Sequence, residues 1–149
     1  MIEGYPVSAR IEVRWRDVDA LGHVNNAVYF TYLEIARTLY LDRVFGVRRL
    51  DEIPILLVSA RCDYLSQVTH GETLEVGARI LNIGNTSFDF EYELRSAPDG
   101  RLVARGGSTQ VLFDHAAGRK VPITERWLDR VEAAQGRKPE RRTSVAAGK

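Results

Sequence analysis

The sequence lacks several features that mark particular classes of protein. It contains one cysteine, Cys62, so neither an intramolecular disulfide nor a cysteine zinc cluster is expected. No stretch approaches the roughly 18 consecutive apolar residues that a membrane-spanning helix requires. Residues 1–10 lack the basic and apolar segments of a secretory signal. The formal net charge is only +1, which gives no general attraction to nucleic acid or anionic membranes. These absences predict a cytoplasmic protein without nucleic-acid partners or a membrane span.

The composition is that of an ordinary globular domain. Hydrophobic residues make up 44% and charged residues 28% of the 149 residues, both usual for one folded unit. From Gln135 onward the chain has almost no apolar residues to bury. We therefore predict one folded domain over residues 1–134 and a flexible basic tail over residues 135–149.

Alternating polar and apolar residues predict five strands. The strand candidates are residues 9–15, 55–64, 74–80, 88–94 and 102–113. Short turns containing glycine or asparagine, such as Pro98-Asp99-Gly100, separate the later candidates. Strands that follow one another through short turns are antiparallel neighbours.

A long helix is predicted over residues 26–45, between the first two strands. Its polar stripe recurs at steps of three and four and consists of Thr31, Glu34, Thr38 and Asp42. Most other positions are apolar, so the helix needs to be covered on several sides. Asn25 or Asn26 suits the N-cap, and Gly46 suits the position after the last turn. A second, short helix is predicted over residues 122–132. An α+β fold with the sheet wrapped around the long helix buries both apolar surfaces.

The polar loop before the long helix is the candidate site of chemistry. It contains two carboxylates, a histidine and two amides, which are Asp17, Asp19, His23, Asn25 and Asn26. The first N–H groups of a helix lack internal acceptors and carry partial positive charge, so they can stabilise an oxyanion. A carboxylate beside them can act as a general base or attack a carbonyl carbon. The loop is therefore suited to acyl-transfer chemistry.

A longer pattern in the same segment resembles the signature of a known family. The pattern is Asp17-x-Asp19-x-x-Gly22-His23-Val24-Asn25-Asn26-x-x-Tyr29, followed by Glu34 and Arg37. It is similar to that of the 4-hydroxybenzoyl-CoA thioesterase-like family, and especially to its long-chain acyl-CoA thioesterase branch. The resemblance covers about residues 8–132. It implies a hot-dog fold, in which a five-stranded antiparallel sheet wraps around one long helix. It also implies an active site at the interface of a homodimer or homotetramer.

The resemblance implies hydrolysis of a fatty or aromatic acyl-CoA to the free acid and CoA. By position, Asp19 matches the family's catalytic carboxylate. Asn26 matches the residue whose backbone N–H polarises the thioester carbonyl. His23 and Tyr29 are candidates for contact with the substrate. No metal or other cofactor is expected, because the carboxylate and the helix N-terminus fill the nucleophilic and electrophilic roles.

Simpler structural interpretations remain open for these residues. Asp19 can shape a turn, as aspartate beside glycine commonly does, and Asn26 can be a plain helix cap. His23 can orient the loop, and Tyr29 can pack on the helix. Asp17 is expected to be structural and to bond the backbone or Arg16. Glu34 and Arg37 are likewise expected to make structural hydrogen bonds.

Other functions also remain open. An enzyme of this kind can cleave acyl groups from an acyl carrier protein, which presents the same thioester. A hot-dog dimer can also hold acyl-CoA without hydrolysing it. Dehydratase chemistry is a weaker alternative, because hot-dog dehydratases rely on a histidine in a different loop setting.

Overall fold

The computed structural model describes residues 1–143, and within them the chain forms two α-helices and seven strands. The helices are α1, Val28–Phe45, and α2, Glu125–Gln135. The strands are β1, Val7–Glu12; β2, Ile55–Tyr64; β3, Thr73–Ile83; β4, Ser87–Ser96; β5, Leu102–Asp114; β6, Arg119–Lys120; and β7, Glu140–Arg141. The predicted α+β class is confirmed. The predicted count of five strands is too low, because strands of two residues are too short to show an alternating pattern.

The five long strands form one antiparallel sheet in the order β1-β3-β4-β5-β2. The short strand β6 extends β5, and β7 pairs in parallel with the end of β3. Apolar and charged residues alternate along β4, so the apolar residues lie on the buried face of the sheet. Phe88, Phe90 and Tyr92 are buried, while Asp89 and Glu91 between them are only partly so. Strands β1 and β2 form the two edges of the sheet.

Helix α1 lies on the apolar face of this sheet. Its fully covered residues are Tyr32, Leu33, Ala36 and Tyr40, and the ring of Tyr40 meets the ring of Phe90 edge to face at 5.0 Å. The helix is less completely covered than its apolar sequence predicts, since Phe30 and Ile35 are exposed. The reason is that the sheet of a single chain covers one side of the helix only. Neither helix within residues 1–143 is long and apolar enough to cross a membrane.

Residues 135–142, predicted to belong to a flexible tail, pack on the sheet instead. The Gln135 amide accepts hydrogen bonds from the Ile80 N–H and the Tyr40 hydroxyl, both at 2.7 Å. Arg142 forms an ion pair with Asp89 at 2.6 Å. These contacts are polar, so the absence of apolar residues in the sequence hid them. Residues 144–149 of the predicted tail lie outside the described residues, and the domain boundary stays a prediction.

Truncation of Ile80 tests the core between α1 and the sheet. Ile80 is fully buried on β3, so Ile80→Ala is expected to lower the free energy of unfolding by about 2–5 kcal/mol. The matched control is Ile35→Ala on the exposed side of α1, with an expected change within about 0.5 kcal/mol. Urea denaturation measures both. Equal effects of the two substitutions would contradict the assigned core.

Candidate active site

The polar loop before α1 folds back on itself. A short 3₁₀-helix, Trp15–Asp17, leads into a tight turn. In this turn the Gly22 N–H donates to the Asp19 carbonyl (3.0 Å), and the Asp19 N–H donates to the His23 carbonyl (2.9 Å). Gly22 has a φ of 83°, a conformation that glycine adopts without strain. The turn thereby fixes Asp19 next to His23.

Asp17 anchors this loop to the core. It is 1% exposed, and its carboxylate accepts hydrogen bonds from the side chain and backbone N–H of Arg14 and from the Tyr32 hydroxyl. Burial alone would raise the pKa of Asp17, but the hydrogen bonds from Arg14 and Tyr32 hold that pKa below its ordinary value. The predicted structural role fits this geometry. Of the two predicted partners, the backbone is confirmed, because the Arg14 N–H donates to the Asp17 carboxylate. Arg16 is wrong, because the arginine side chain that bonds Asp17 is that of Arg14.

Asn25 joins the loop to α1. Its N–H donates to the Asp17 carbonyl, its Oδ1 accepts from the Ala27 N–H, and its carbonyl accepts from the Val28 N–H, all at 2.9 Å. The N-cap position itself is occupied by Ala27, without a side-chain cap. The predicted asparagine N-cap is therefore wrong in position, because Asn25 closes a separate turn just before the helix.

Asn26 lies in this turn with a backbone N–H that finds no acceptor among residues 1–143. Its carbonyl accepts a hydrogen bond from the Tyr64 hydroxyl at 2.8 Å. The ring of Tyr64 meets the ring of Tyr29 edge to face at 4.9 Å. The end of β2 therefore holds the start of α1 in place. Asn26 precedes the N-cap Ala27, and an unpaired N–H beside a helix N-terminus is a ready donor for an anion or a carbonyl oxygen.

All four candidate residues from the sequence line one pocket of about 340 Å³. They are Asp19, His23, Asn26 and Tyr29. Val24 and residues 64–68 complete the pocket wall. Sequence reasoning missed residues 64–68 because they are distant along the chain and carry no recognisable motif.

One carboxylate oxygen of Asp19 accepts a hydrogen bond from the loop, and the other is free within the described residues. Its Oδ1 accepts from the Leu21 N–H at 2.9 Å, which is the turn-shaping interaction expected of an aspartate in this setting. Its Oδ2 forms no hydrogen bond within the described residues. Asp19 is exposed, so the free oxygen is available to a bound molecule while the other maintains the turn.

The phenol of Tyr29 and the nearby thiol of Cys62 are both neutral at physiological pH. Burial, followed by the nearby Cys62 and Tyr64, raises the pKa of Tyr29 to about 12. Burial, with a smaller contribution from Asp63, raises the pKa of Cys62 to about 11. A thiol that stays protonated is a poor nucleophile. Cys62 is therefore a weaker candidate than the Asp19 carboxylate for attack on a substrate.

Comparison with known proteins relates this site to a family. The sequence profile of the thioesterase-like superfamily matches residues 13–131. A thioesterase from Thermus thermophilus, crystallised with coenzyme A and zinc, is 35% identical, with a TM-score of 0.81 over 91% of this chain and 99% of that one. A 1,4-dihydroxy-2-naphthoyl-CoA thioesterase from Synechocystis is 21% identical, with a TM-score of 0.73 over 84% and 94% of the two chains, and shares the fold. The uncharacterized protein YsmA of Bacillus subtilis is 27% identical over 116 residues, 78% of each chain.

The substitution Asp17→Asn tests the loop anchor. It keeps the side-chain shape and removes the charge that Arg14 and Tyr32 bond, so the free energy of unfolding at neutral pH is expected to fall by about 1–3 kcal/mol. The folded-state pKa of Asp17 is depressed. Its stabilisation is therefore present above the unfolded pKa of about 3.9 and is lost as the pH falls through the folded value. Denaturation from neutral pH to about pH 2.5 should show the difference between wild type and variant closing in acid. A difference that does not change with pH would contradict an ionised anchor.

Proposed function

Since the chain belongs to the thioesterase-like superfamily and has its hot-dog fold, we propose that it hydrolyses a fatty or aromatic acyl-CoA to the free acid and CoA. One observation carries this proposal. The free carboxylate oxygen of Asp19 and the unpaired N–H of Asn26 belong to residues that line the same pocket. Hydrolysis of a thioester needs a nucleophile or base on one side of the carbonyl and a hydrogen-bond donor at its oxygen.

In the proposed reaction, Asp19 acts on the thioester carbon in one of two ways. It accepts a proton from a water molecule that attacks the carbon, or it attacks the carbon itself. Direct attack forms a mixed anhydride, expels CoA as its thiolate, and is followed by hydrolysis of the anhydride. Both routes consume one water and give the acid and CoA. Both also require the ionised form of Asp19.

Asn26, His23 and Tyr29 are proposed to hold the substrate. The Asn26 N–H donates to the carbonyl oxygen as negative charge develops on it, a contact whose removal typically lowers kcat by about 10²–10³. Tyr64 positions this donor through its hydrogen bond to the Asn26 carbonyl. Tyr29, with a pKa of about 12, can donate a hydrogen bond at neutral pH without losing its proton. His23 closes the pocket beside Asp19. This chemistry requires no cofactor.

We further propose that the active form is a homodimer paired through β2. Strand β2 is a sheet edge of 10 residues, and Leu56, Leu57 and Val58 on it are exposed. A long apolar edge strand is a ready template for pairing with another chain. A two-fold axis lets the same edge serve both copies. The opposite edge, β1, is shorter and exposes charged residues such as Arg10 and Glu12 instead.

The substitution Asp19→Asn tests the catalytic proposal. Wild type is expected to release thiol from some members of a panel of acyl-CoAs that vary in chain length and aromatic content. The variant is expected to lose about two to three orders of magnitude in kcat, because its amide is neither a base nor a nucleophile at neutral pH.

The chain offers a matched control for this test in Asp114. Its Oδ1 accepts from the Ala116 N–H at 3.0 Å, the same turn contact that Asp19 makes with Leu21. Asp114→Asn should therefore keep full activity. If both variants lose activity equally, or if Asp19→Asn keeps it, the catalytic assignment of Asp19 is wrong. Release of thiol from acyl carrier protein but from no acyl-CoA would favour a carrier-protein thioesterase. Binding without release would favour an acyl-CoA-binding protein.

A lysine in the apolar edge tests the proposed dimer. Val58 on β2 is 62% exposed. The substitution Val58→Lys places a positive charge on this strand in each copy, and these like charges oppose pairing of the two strands. Light scattering is expected to show the mass of at least two chains for wild type and of one chain for the variant. Val121→Lys, at an exposed valine that directly follows β6, is the control and should keep the wild-type mass. An unchanged mass for Val58→Lys would contradict pairing through β2.

A further inference from the structure

A cationic side chain lies buried between α1 and the sheet. Arg37 is 6% exposed, and its hydrogen bond within residues 1–143 runs from Nη1 to the Tyr92 hydroxyl at 3.0 Å. The Glu34 carboxylate lies 4.0 Å from Arg37 Nη2 and is mostly exposed to solvent. Removing a guanidinium from water with so little compensation is costly. A buried guanidinium with so few partners can donate further hydrogen bonds to a bound molecule.

The hydrogen bonds beyond Arg37 provide no negative charge. The Ser108 hydroxyl donates to Gln110 Oε1 at 2.8 Å, so the Tyr92 hydroxyl must donate to Ser108 Oγ, at 2.6 Å. The Gln110 amide then donates to the Phe88 carbonyl at 2.7 Å. Burial raises the pKa of Tyr92 above its ordinary value, so every group in this hydrogen-bond network is neutral. The network therefore accepts one N–H of Arg37 but supplies no negative charge, and the anion near Arg37 is the mostly exposed carboxylate of Glu34 at 4.0 Å.

Arg37 also lines a second pocket, of about 180 Å³. Its other main walls are Phe30, Leu33 and Glu34 of α1 and Leu57 and Ala60 of β2. An apolar cavity of about 150 Å³ is large enough for benzene. The pocket therefore has room for one aromatic ring or a short alkyl segment, with a cation at its wall.

The second pocket lies farther along the same face of α1 than the candidate active site. The residues of α1 and its preceding turn that line the two pockets include positions 26, 29, 30, 33, 34 and 37, which follow the three-and-four spacing of one helix face. Along β2, Tyr64 borders the first pocket and Ala60 the second. The helix rises about 13 Å from Val28 to Arg37, and its side chains lean toward the N-terminus. An acyl group that extends along this face of α1 from a thioester at Asp19 therefore points toward Arg37.

We propose that Arg37 selects acyl groups that carry a hydrogen-bond-accepting oxygen at the end remote from the thioester. A carboxylate is the strongest such group, because it balances the buried charge and can accept two parallel N–H bonds. A phenolic or alkyl hydroxyl accepts one. This inference rests on the proposed function, since it places the thioester at Asp19. It narrows the substrate class from fatty or aromatic acyl groups in general to those with a polar distal end.

Matched pairs of CoA thioesters test this selectivity. Adipoyl-CoA is compared with hexanoyl-CoA, and 4-hydroxyphenylacetyl-CoA with phenylacetyl-CoA. In wild type, kcat/KM is expected to be at least about tenfold higher for the oxygen-ended member of a pair, the size of one hydrogen bond to a charged group. In Arg37→Met this ratio should fall to within about twofold of one, since the thioether cannot donate a hydrogen bond. A wild-type ratio near one in both pairs overturns the proposal.

Two control variants separate recognition from folding. Arg43→Met, at an exposed arginine of the same helix, should leave both ratios unchanged. Glu34→Gln removes the anion near Arg37 and should raise the preference for adipoyl-CoA; a lowered preference counts against the proposal. If Arg37→Met fails to fold, Arg37→Lys keeps the charge without the planar fork, and the preference should shrink by at least about threefold. A preference that either Arg37 variant retains in full would show that Arg37 only holds the fold.

Binding measurements distinguish failure of this inference from failure of the proposed function. Absence of thiol release by wild type from every acyl-CoA would refute the hydrolase. The role of Arg37 can still be tested by calorimetric titration of Asp19→Asn with the same pairs. Tighter binding of adipoyl-CoA, by at least about tenfold and abolished in Asp19→Asn/Arg37→Met, supports the inference. Equal dissociation constants for both members of each pair overturn it, even if wild type is an active thioesterase.

Discussion

The buried residue Asp17 joins three parts of the molecule. Its carboxylate accepts hydrogen bonds from Arg14 before the loop and from Tyr32 on α1. Its backbone carbonyl accepts a hydrogen bond from the Asn25 N–H. Because these contacts fix both ends of the polar loop, the short turn that carries Asp19 has little freedom. The exposed position of Asp19 is thus determined by a neighbour that takes no part in the proposed chemistry.

The sheet contributes to the site through its edge strand. The Tyr64 hydroxyl of β2 donates a hydrogen bond to the Asn26 carbonyl, and residues of β2 and α1 line both the pocket at Asp19 and the pocket at Arg37. The same strand exposes the apolar residues proposed to pair with a second copy. The proposed dimer, the position of the proposed oxyanion donor and the wall of the second pocket therefore all involve one strand. Loss of dimer pairing is expected to disturb the other two.

The sequence predicted the features that follow from local patterns. The periodicity of β4 and of α1, and the loop motif from Asp17 to Tyr29, all concern residues that are close along the chain. The contributions of Tyr64, of Gln135 and of the network beyond Arg37 could not be predicted in this way. Tyr64, Gln135 and Arg37 each bond a partner that lies far away in the sequence, and such contacts have no period. Arg37 itself was expected to be structural, and its burial beside a pocket is visible only in the folded chain.

The central claim is that the Asn26 N–H and Asp19 meet at the thioester carbonyl. It is tested most directly by the amide resonance of Asn26 in ¹⁵N-labelled Asp19→Asn protein titrated with hexanoyl-CoA, a thioester that this variant is expected to bind without rapid turnover. A new hydrogen bond to the carbonyl oxygen should move the Asn26 proton downfield, while the amide of Ala116, in the equivalent turn at Asp114, stays unchanged. Saturable binding that leaves the Asn26 amide unmoved would contradict the account.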